Sequence, residues 1–346
     1  SFMRSTKLRR SVLAVLTAAA TALPMTMAAG TSWATDSGIT PDHPGGVAAP
    51  HSPDGVPSSG TGPQVRTWPV ASHYSHTHVG TNPKGANDFT CKPASGTRPV
   101  VLIPGTGEDA FATWSYYAPE LKLAGLCVFT FNYNIQTNPD REWAATTGDI
   151  RSSAAFLAHY VEKVRAATGA EKVDLVGHSQ GGGPLPRAYI KWFGGDRVVN
   201  HLIGLVPSNK GTSVYGLATS VGLDRPGSLS ARALQNYADR HNYESLPQQL
   251  AGSRFLGELN DGGMTAPGVR YTVISTKYDD VVTPYTNAFI REPGVTNITM
   301  QSVCAKDHTD HFGFTYDPVA FQVVFNTLLP DKAKAIRCVY VPGFIQ

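Results

Sequence analysis

The chain has 346 residues, of which 41% are hydrophobic and 16% charged, too apolar for a disordered chain and too lightly charged for a coiled coil. Its net charge of +3 is concentrated at the front: four of the 29 Lys and Arg (Arg4, Lys7, Arg9 and Arg10) precede residue 35, where no Asp or Glu occurs, so the rest sets 25 against 26, or −1. A body that close to neutral has no broad cationic face with which to neutralise phosphates, which argues against nucleic acid as a partner.

Met3 opens a basic stretch, followed by a run from Ser11 to Leu23 dominated by Ala, Leu and Val and by small residues ending in Ser32-Trp33-Ala34. This is the layout of a secretory signal, in which cleavage after Ala34 fits the small-x-small preference and Ala28 or Ala29 would also serve. The run is too short to be a membrane anchor, which needs about 18 to 20 apolar residues. Residues 1–34 therefore predict export, with Ser1 and Phe2 read as an expression scar ahead of the signal. No Cys precedes Cys91, so no lipid can be attached to an N-terminal Cys, and the mature protein is expected to be extracellular and free of an integral membrane anchor. Four cysteines in an exported chain read as two disulfides. Of the three connectivities, Cys91 to Cys127 with Cys304 to Cys338 is favoured because each pair is close in sequence.

Between Asp36 and Thr90 there are eight Pro and eight Gly and no apolar periodicity, a composition that predicts a flexible leader and then an arm over residues 35–85. His73, His76 and His78 alternate along this arm. With no Cys beside them and no acidic residue nearer than Asp88, they read as surface or packed residues rather than metal ligands, and no cofactor or metal is expected. One domain is expected over residues 86–346. Its apolar runs alternate with helical segments, the pattern of βαβ units around a largely parallel sheet. Strands are predicted at Pro99 to Ile103, Cys127 to Phe131, Lys172 to Val176, Val198 to Val206, Val269 to Ser275 and Thr296 to Val303. Helices are predicted at Ala112 to Leu123, at Pro184 to Phe193, and between Asp149 and Thr168. In the last of these, Ile150, Ala154, Leu157, Val161 and Val164 recur at helical spacing and Gly169 supplies a stop. Asp317 can cap a final helix that has Pro318 in its first turn.

Gly177-His178-Ser179-Gln180-Gly181 fits G-x-S-x-G and lies between a predicted strand and a predicted helix, the setting in which that motif presents a nucleophile at a sharp turn. A neutral hydroxyl attacks poorly without a base, and the base needs an orienting acid. In this arrangement the chain order is nucleophile, acid, His. Of the histidines after Ser179, His201 lies inside a predicted strand and His241 precedes the candidate acids, leaving His308 and His311. His311, ahead of Phe312-Gly313 and the last helix, is favoured. The strand ending at Ser275 leads to Asp279 and Asp280, of which Asp279 is favoured because Val281 and Val282 anchor the turn behind it. Two donors are needed for the oxyanion: the backbone N–H of Gln180, and Thr106 in the Pro104-Gly105-Thr106-Gly107 loop after the first strand, through its N–H and its hydroxyl. Residues Ser213 to Gln249 carry Val214, Tyr215, Leu217, Val221 and Leu223 without a strand pattern and read either as a lid or acyl-pocket wall or as a packed insertion.

At these residues the chain resembles secreted α/β-hydrolase lipases of the bacterial class-2 type and, more distantly, fungal lipase B. The stretches that carry the resemblance are VLIPGTG (101–107), VGHSQGG (176–182), PSNKGT (207–212), STKYDDVVTP (275–284) and DHFG (310–313). The resemblance implies an α/β-hydrolase fold, a mostly parallel central sheet with helices on both faces, and also sequential disulfides. It implies Ser179, Asp279 and His311 as the catalytic residues, with Thr106 and Gln180 around the oxyanion. The implied substrates are acylglycerols or simple esters, and for some members polyesters. Where fungal lipase B has Trp before the nucleophile, this chain has His178. The expected activity is that of a secreted serine carboxylester hydrolase, lipase or esterase, acting as a monomer on an ester or lipid in solution or at an interface. A polyester depolymerase with the same residues, a peptidase or acyltransferase, and a catalytically silent binding module are the other readings.

Overall fold

Strand β1 (Val100–Ile103) is four apolar residues long and buried at every position, which requires a sheet covered on both faces. The computed structural model describes residues 53–134 and 146–344. It builds that sheet from β1, β2 (Val128–Thr130), β3 (Val173–His178), β4 (Val199–Leu205), β5 (Arg270–Ser275) and β6 (Val295–Thr299). All neighbours are parallel, in the order β2-β1-β3-β4-β5-β6. The helices of seven or more residues are α1 (Trp68–Thr77), α2 (Tyr117–Leu123), α3 (Ile150–Thr168), α4 (Pro184–Trp192), α5 (Leu229–His241), α6 (Arg254–Asn260) and α7 (Pro318–Leu328). Alternate side chains of a strand point to opposite faces. Val101 and Ile103 accordingly join the core formed with α3 and α4, and Val100 and Leu102 join the core formed with α1, α2 and α7.

Helix α3 starts and stops where its sequence dictates. The Asp149 side chain accepts the N–H of Ser152, and Gly169 ends the helix at φ 72°, a left-handed conformation that costs glycine little. The helix expected over Ala112 to Leu123 is instead a turn, Ala110–Trp114, followed by α2. Pro119 has no N–H to give the carbonyl of Ser115, so the ladder breaks there and restarts. The strand expected over Thr296 to Val303 stops at Thr299, where the β-branched run gives way to Met300 and Gln301 and the chain coils into a helical turn.

The largest departure is at the front. The leader and arm expected over 35–85 are, from residue 53 onward, part of the folded body: Val65 and Ala71 are buried in the core, and the Gly55 carbonyl accepts the N–H of Asn132 at 2.8 Å. On α1 the fully buried residues are the small Ala71 and Ser75, with Trp68 and Tyr74 packed at the edge of the core, so no apolar periodicity advertises the helix. The expected signal sequence, and the expected leader up to residue 52, lie outside the described residues. Among the described residues no group of three or more His, Cys, Asp or Glu could hold a metal ion, and no helix is long and apolar enough to cross a membrane. Both sequential disulfides are formed, Cys91–Cys127 and Cys304–Cys338.

Candidate active site

The strand order runs from β1 outward to β2 and from β3 outward through β6, so connections diverge between β1 and β3. In an open parallel sheet the crevice beyond the carboxyl ends at such a switch point is where ligands bind. Ser179 follows β3 directly. It holds φ 57°, a left-handed conformation that is strained for a residue with a side chain and persists only where packing enforces it. The enforcement comes from its glycine neighbours. A Cβ on Gly177 would stand 1.7 Å from the Gly181 carbonyl oxygen, and one on Gly181 would stand 2.4 Å from that of Pro104. No side chain larger than hydrogen fits at either place. The turn Ser179–Gly182 then passes into α4, leaving Ser179 at the sheet's carboxyl end with 5% exposure.

The loop after β1 is fixed by Thr146, whose hydroxyl accepts the N–H of Gly107 and donates to the Gly105 carbonyl, both at 2.7 Å. Within that loop Thr106 Oγ1 lies 2.8 Å from Gln180 Nε2 and 2.9 Å from Gln249 Nε2. The orientation of each amide is forced, because each Nε2 also faces a carbonyl that can only accept, Thr146 for Gln180 and Ser245 for Gln249. Both amides therefore donate to Thr106. They occupy the two lone pairs of its hydroxyl oxygen and leave its own hydrogen to donate elsewhere.

The loop after β5 holds Asp279, whose Oδ1 accepts the N–H groups of Val281 and Val282 at 2.9 and 2.8 Å. His311 Nδ1 lies 3.2 Å from Asp279 Oδ2. Asp280 instead accepts the backbone N–H of His311 at 3.4 Å, and burial with Asp310 and Asp279 nearby pushes its pKa up to about 6. His308 turns away, stacked on Tyr278 with ring centroids 4.7 Å apart. Burial works against a charged His311, but the charge and hydrogen bond of Asp279, with Asp280 and Glu108 behind them, outweigh it and hold the imidazole pKa above its ordinary value. Among the described residues no hydrogen bond joins the Ser179 hydroxyl to His311. Such contacts commonly tighten only when substrate is bound.

Four side chains to which the sequence motifs assigned no role belong to this site. Gln249 orients Thr106. Glu108 and His178 form a buried pair, Nδ1 to Oε2 at 2.8 Å, and Trp68 of α1 donates its indole N–H to the same carboxylate. Their only sequence signal is adjacency to the two motifs, for His178 and Glu108; Gln249 and Trp68 carry none.

The sequence profile of the class-2 lipases matches residues 97–324. Among solved structures, lipase B of Aspergillus fumigatus superposes with a TM-score of 0.53 at 22% identity, covering 74% of this chain and 56% of that one. The mature lipase BlEst2 of Bacillus licheniformis superposes with a TM-score of 0.50 at 17% identity, covering 71% of this chain and 99% of that one. This chain thus spans little more than half the length of the fungal lipase. No curated protein matches it in sequence. At these identities the superpositions speak for the fold, and the profile speaks for the family. The chain belongs to the class-2 lipases and has the α/β-hydrolase fold.

Proposed function

We propose that the chain is a secreted serine hydrolase of acylglycerols or simple esters, working through an acyl-enzyme on Ser179 with His311 as base and Asp279 as its orienting acid. The observation that carries this reading is the 3.2 Å contact of His311 Nδ1 with Asp279, beside His178, which directly precedes the left-handed Ser179 and whose ring lies 4.9 Å from that of His311. Asp279 fixes the tautomer, so Nε2 of the ring is the atom that takes the Ser179 proton as the hydroxyl attacks the ester carbonyl. The tetrahedral oxyanion accepts from the backbone N–H of Gln180 and from Thr106, whose hydroxyl hydrogen both neighbouring amides leave available. His311 then protonates the departing alcohol. Water, activated by the same imidazole, cleaves the acyl-enzyme and restores Ser179.

The substrate's apolar part has a suitable wall in the 213–249 segment, where Tyr215, Leu217, Val221 and Leu229 are exposed. Val214 and Tyr215 both hold left-handed φ values, 48° and 56°, an unusual cost for a β-branched residue and a mark of a functional segment. Export as a soluble monomer, with residues 1–34 removed, fits the two disulfides. The test is hydrolysis of p-nitrophenyl esters of rising chain length by the wild type and Ser179→Ala. The wild type hydrolyses them and Ser179→Ala does not; equal rates overturn the assignment. Because the carboxylates hold the His311 proton, kcat/KM rises with pH about a midpoint above the ~6.5 of free imidazole. A midpoint at or below that value contradicts the assignment of the base.

A further inference from the structure

We propose that Glu108 and His178 form a buried ion pair that positions the base: His178 holds the main chain of His311, Glu108 holds His178, and Trp68 of the N-terminal arm holds Glu108. The inference rests on the reading of His311 as the base. His178 Nδ1 lies 2.8 Å from Glu108 Oε2, and its Nε2 lies 2.9 Å from the carbonyl oxygen of His311. Both residues are buried. A carbonyl only accepts and so does a carboxylate, whereas a neutral imidazole has a single N–H. The two contacts are satisfied together only if a second proton resides on the pair.

That second proton resides on the ring, because the Glu108 carboxylate already accepts the Thr113 hydroxyl at 3.1 Å and the Trp68 indole N–H. Three donors converging on one carboxylate stabilise its ionised form. The buried charge is thereby paired and hydrogen-bonded on both sides, the condition under which such a pair is tolerated in a core.

His178 is the last residue of β3, so the strand end that aims Ser179 also grips the backbone of the residue that must receive its proton. The imidazole of His311 is oriented separately by Asp279, and the backbone N–H of His311 is held by Asp280. Trp68 adds a second contact to the same loop: its ring lies 4.8 Å from that of Phe312, the residue after the base, and 4.7 Å from Phe344 in the C-terminal tail. The arm that composition marked as a linker is in this way tied to the placement of His311.

The test is made on the full chain with a soluble p-nitrophenyl ester, measuring kcat and KM beside the thermal melt. His178→Asn is too short to span both partners and is expected to lower kcat about a hundredfold, the scale of a base displaced by about 1 Å, with KM changed less than about twofold. Trp68→Phe keeps a ring but loses the N–H and is expected to lower kcat by less. The pair Trp68→Phe with His178→Asn is expected to be no slower than His178→Asn alone, since both break one tether. Should His178→Asn fail to fold with Glu108 left unpaired, the double variant with Glu108→Gln removes the charge together with its partner and gives the same reading. A folded His178→Asn or double variant with kcat within about twofold of wild type overturns the proposal, as do losses that multiply in the Trp68 and His178 pair. Ser179→Ala separates the two levels: wild-type activity there defeats the triad itself, whereas an inactive Ser179→Ala beside a fully active His178→Asn defeats only the positioning role.

Discussion

At Thr106 two side-chain amides donate to one hydroxyl oxygen, which sets the direction of the remaining O–H before any substrate arrives. A donor fixed in advance stabilises developing charge without reorganising at the moment of reaction. Thr106→Val keeps the shape and removes this donor. We expect kcat to fall about 10²-fold with KM little changed, and Thr106→Ser to retain most of the rate. A Val variant with unaltered kcat would show that the hydroxyl takes no part. Ser179, Thr106, Gln180 and Asp279 could be proposed from sequence because each sits in a short motif just after a strand, and His311 because it lies in a short motif ahead of the last helix. Gln249, Glu108 and Trp68 could not, because their contacts join positions 143, 70 and 40 residues apart. The His178 ring serves an acceptor on each side, and only its neighbours in space reveal that. Between His308 and His311, and between Asp279 and Asp280, sequence supplied a preference, and the geometry pairs the two favoured residues.

The segment that carries His311 is bracketed by Asp307 and Asp317, whose carboxyls lie side by side so that a charge on one opposes a charge on the other. Each has a buried Oδ2 without another partner. Asp317 also caps α7, accepting the N–H groups of Val319 and Ala320 at 2.8 and 3.2 Å. Burial, with Asp307 beside it, raises the Asp317 pKa far above the usual carboxylate range. Between the ordinary value of ~3.9 and that raised value, the folded protein keeps a proton that the unfolded chain has released. Stability from this pair is therefore fully present below the unfolded pKa and is lost as pH rises through the window. Asn has the same shape, caps equally well and donates a permanent N–H to Asp307. Asp317→Asn should therefore raise the melting temperature at pH 8 by about a few degrees and lose that advantage below about pH 4. A lower melting temperature at pH 8 would contradict the shared-proton account. Elements with both periodicity and caps, such as α3, were legible to the residue. The break before α2 was not, because it depends on one missing donor in Pro119.

Both ends of the described chain close over the same loop. The C-terminal tail is fastened by Cys304–Cys338 and by the bond from the His308 N–H to the Val341 carbonyl at 2.8 Å, three residues before His311. The N-terminal arm reaches the loop through Trp68, and Cys91–Cys127 ties the end of that arm to the sheet beside β2. The order of strands and helices followed from alternating apolar runs, and the disulfide pairing from proximity in sequence. The arm's place in the body did not, because its anchors, among them Val65, Ala71 and Trp68, leave no sustained apolar pattern. On the proposed reading the whole arrangement serves one activated hydroxyl, and the most direct measurement is covalent capture of it. The protein is treated with a p-nitrophenyl alkylphosphonate, which mimics the tetrahedral intermediate, and its peptides are then mapped by mass spectrometry. The account predicts a single adduct per chain, on Ser179, formed in step with loss of ester hydrolysis and absent from Ser179→Ala. An adduct on another residue with Ser179 unmodified, or full hydrolysis after Ser179 is blocked, would contradict it.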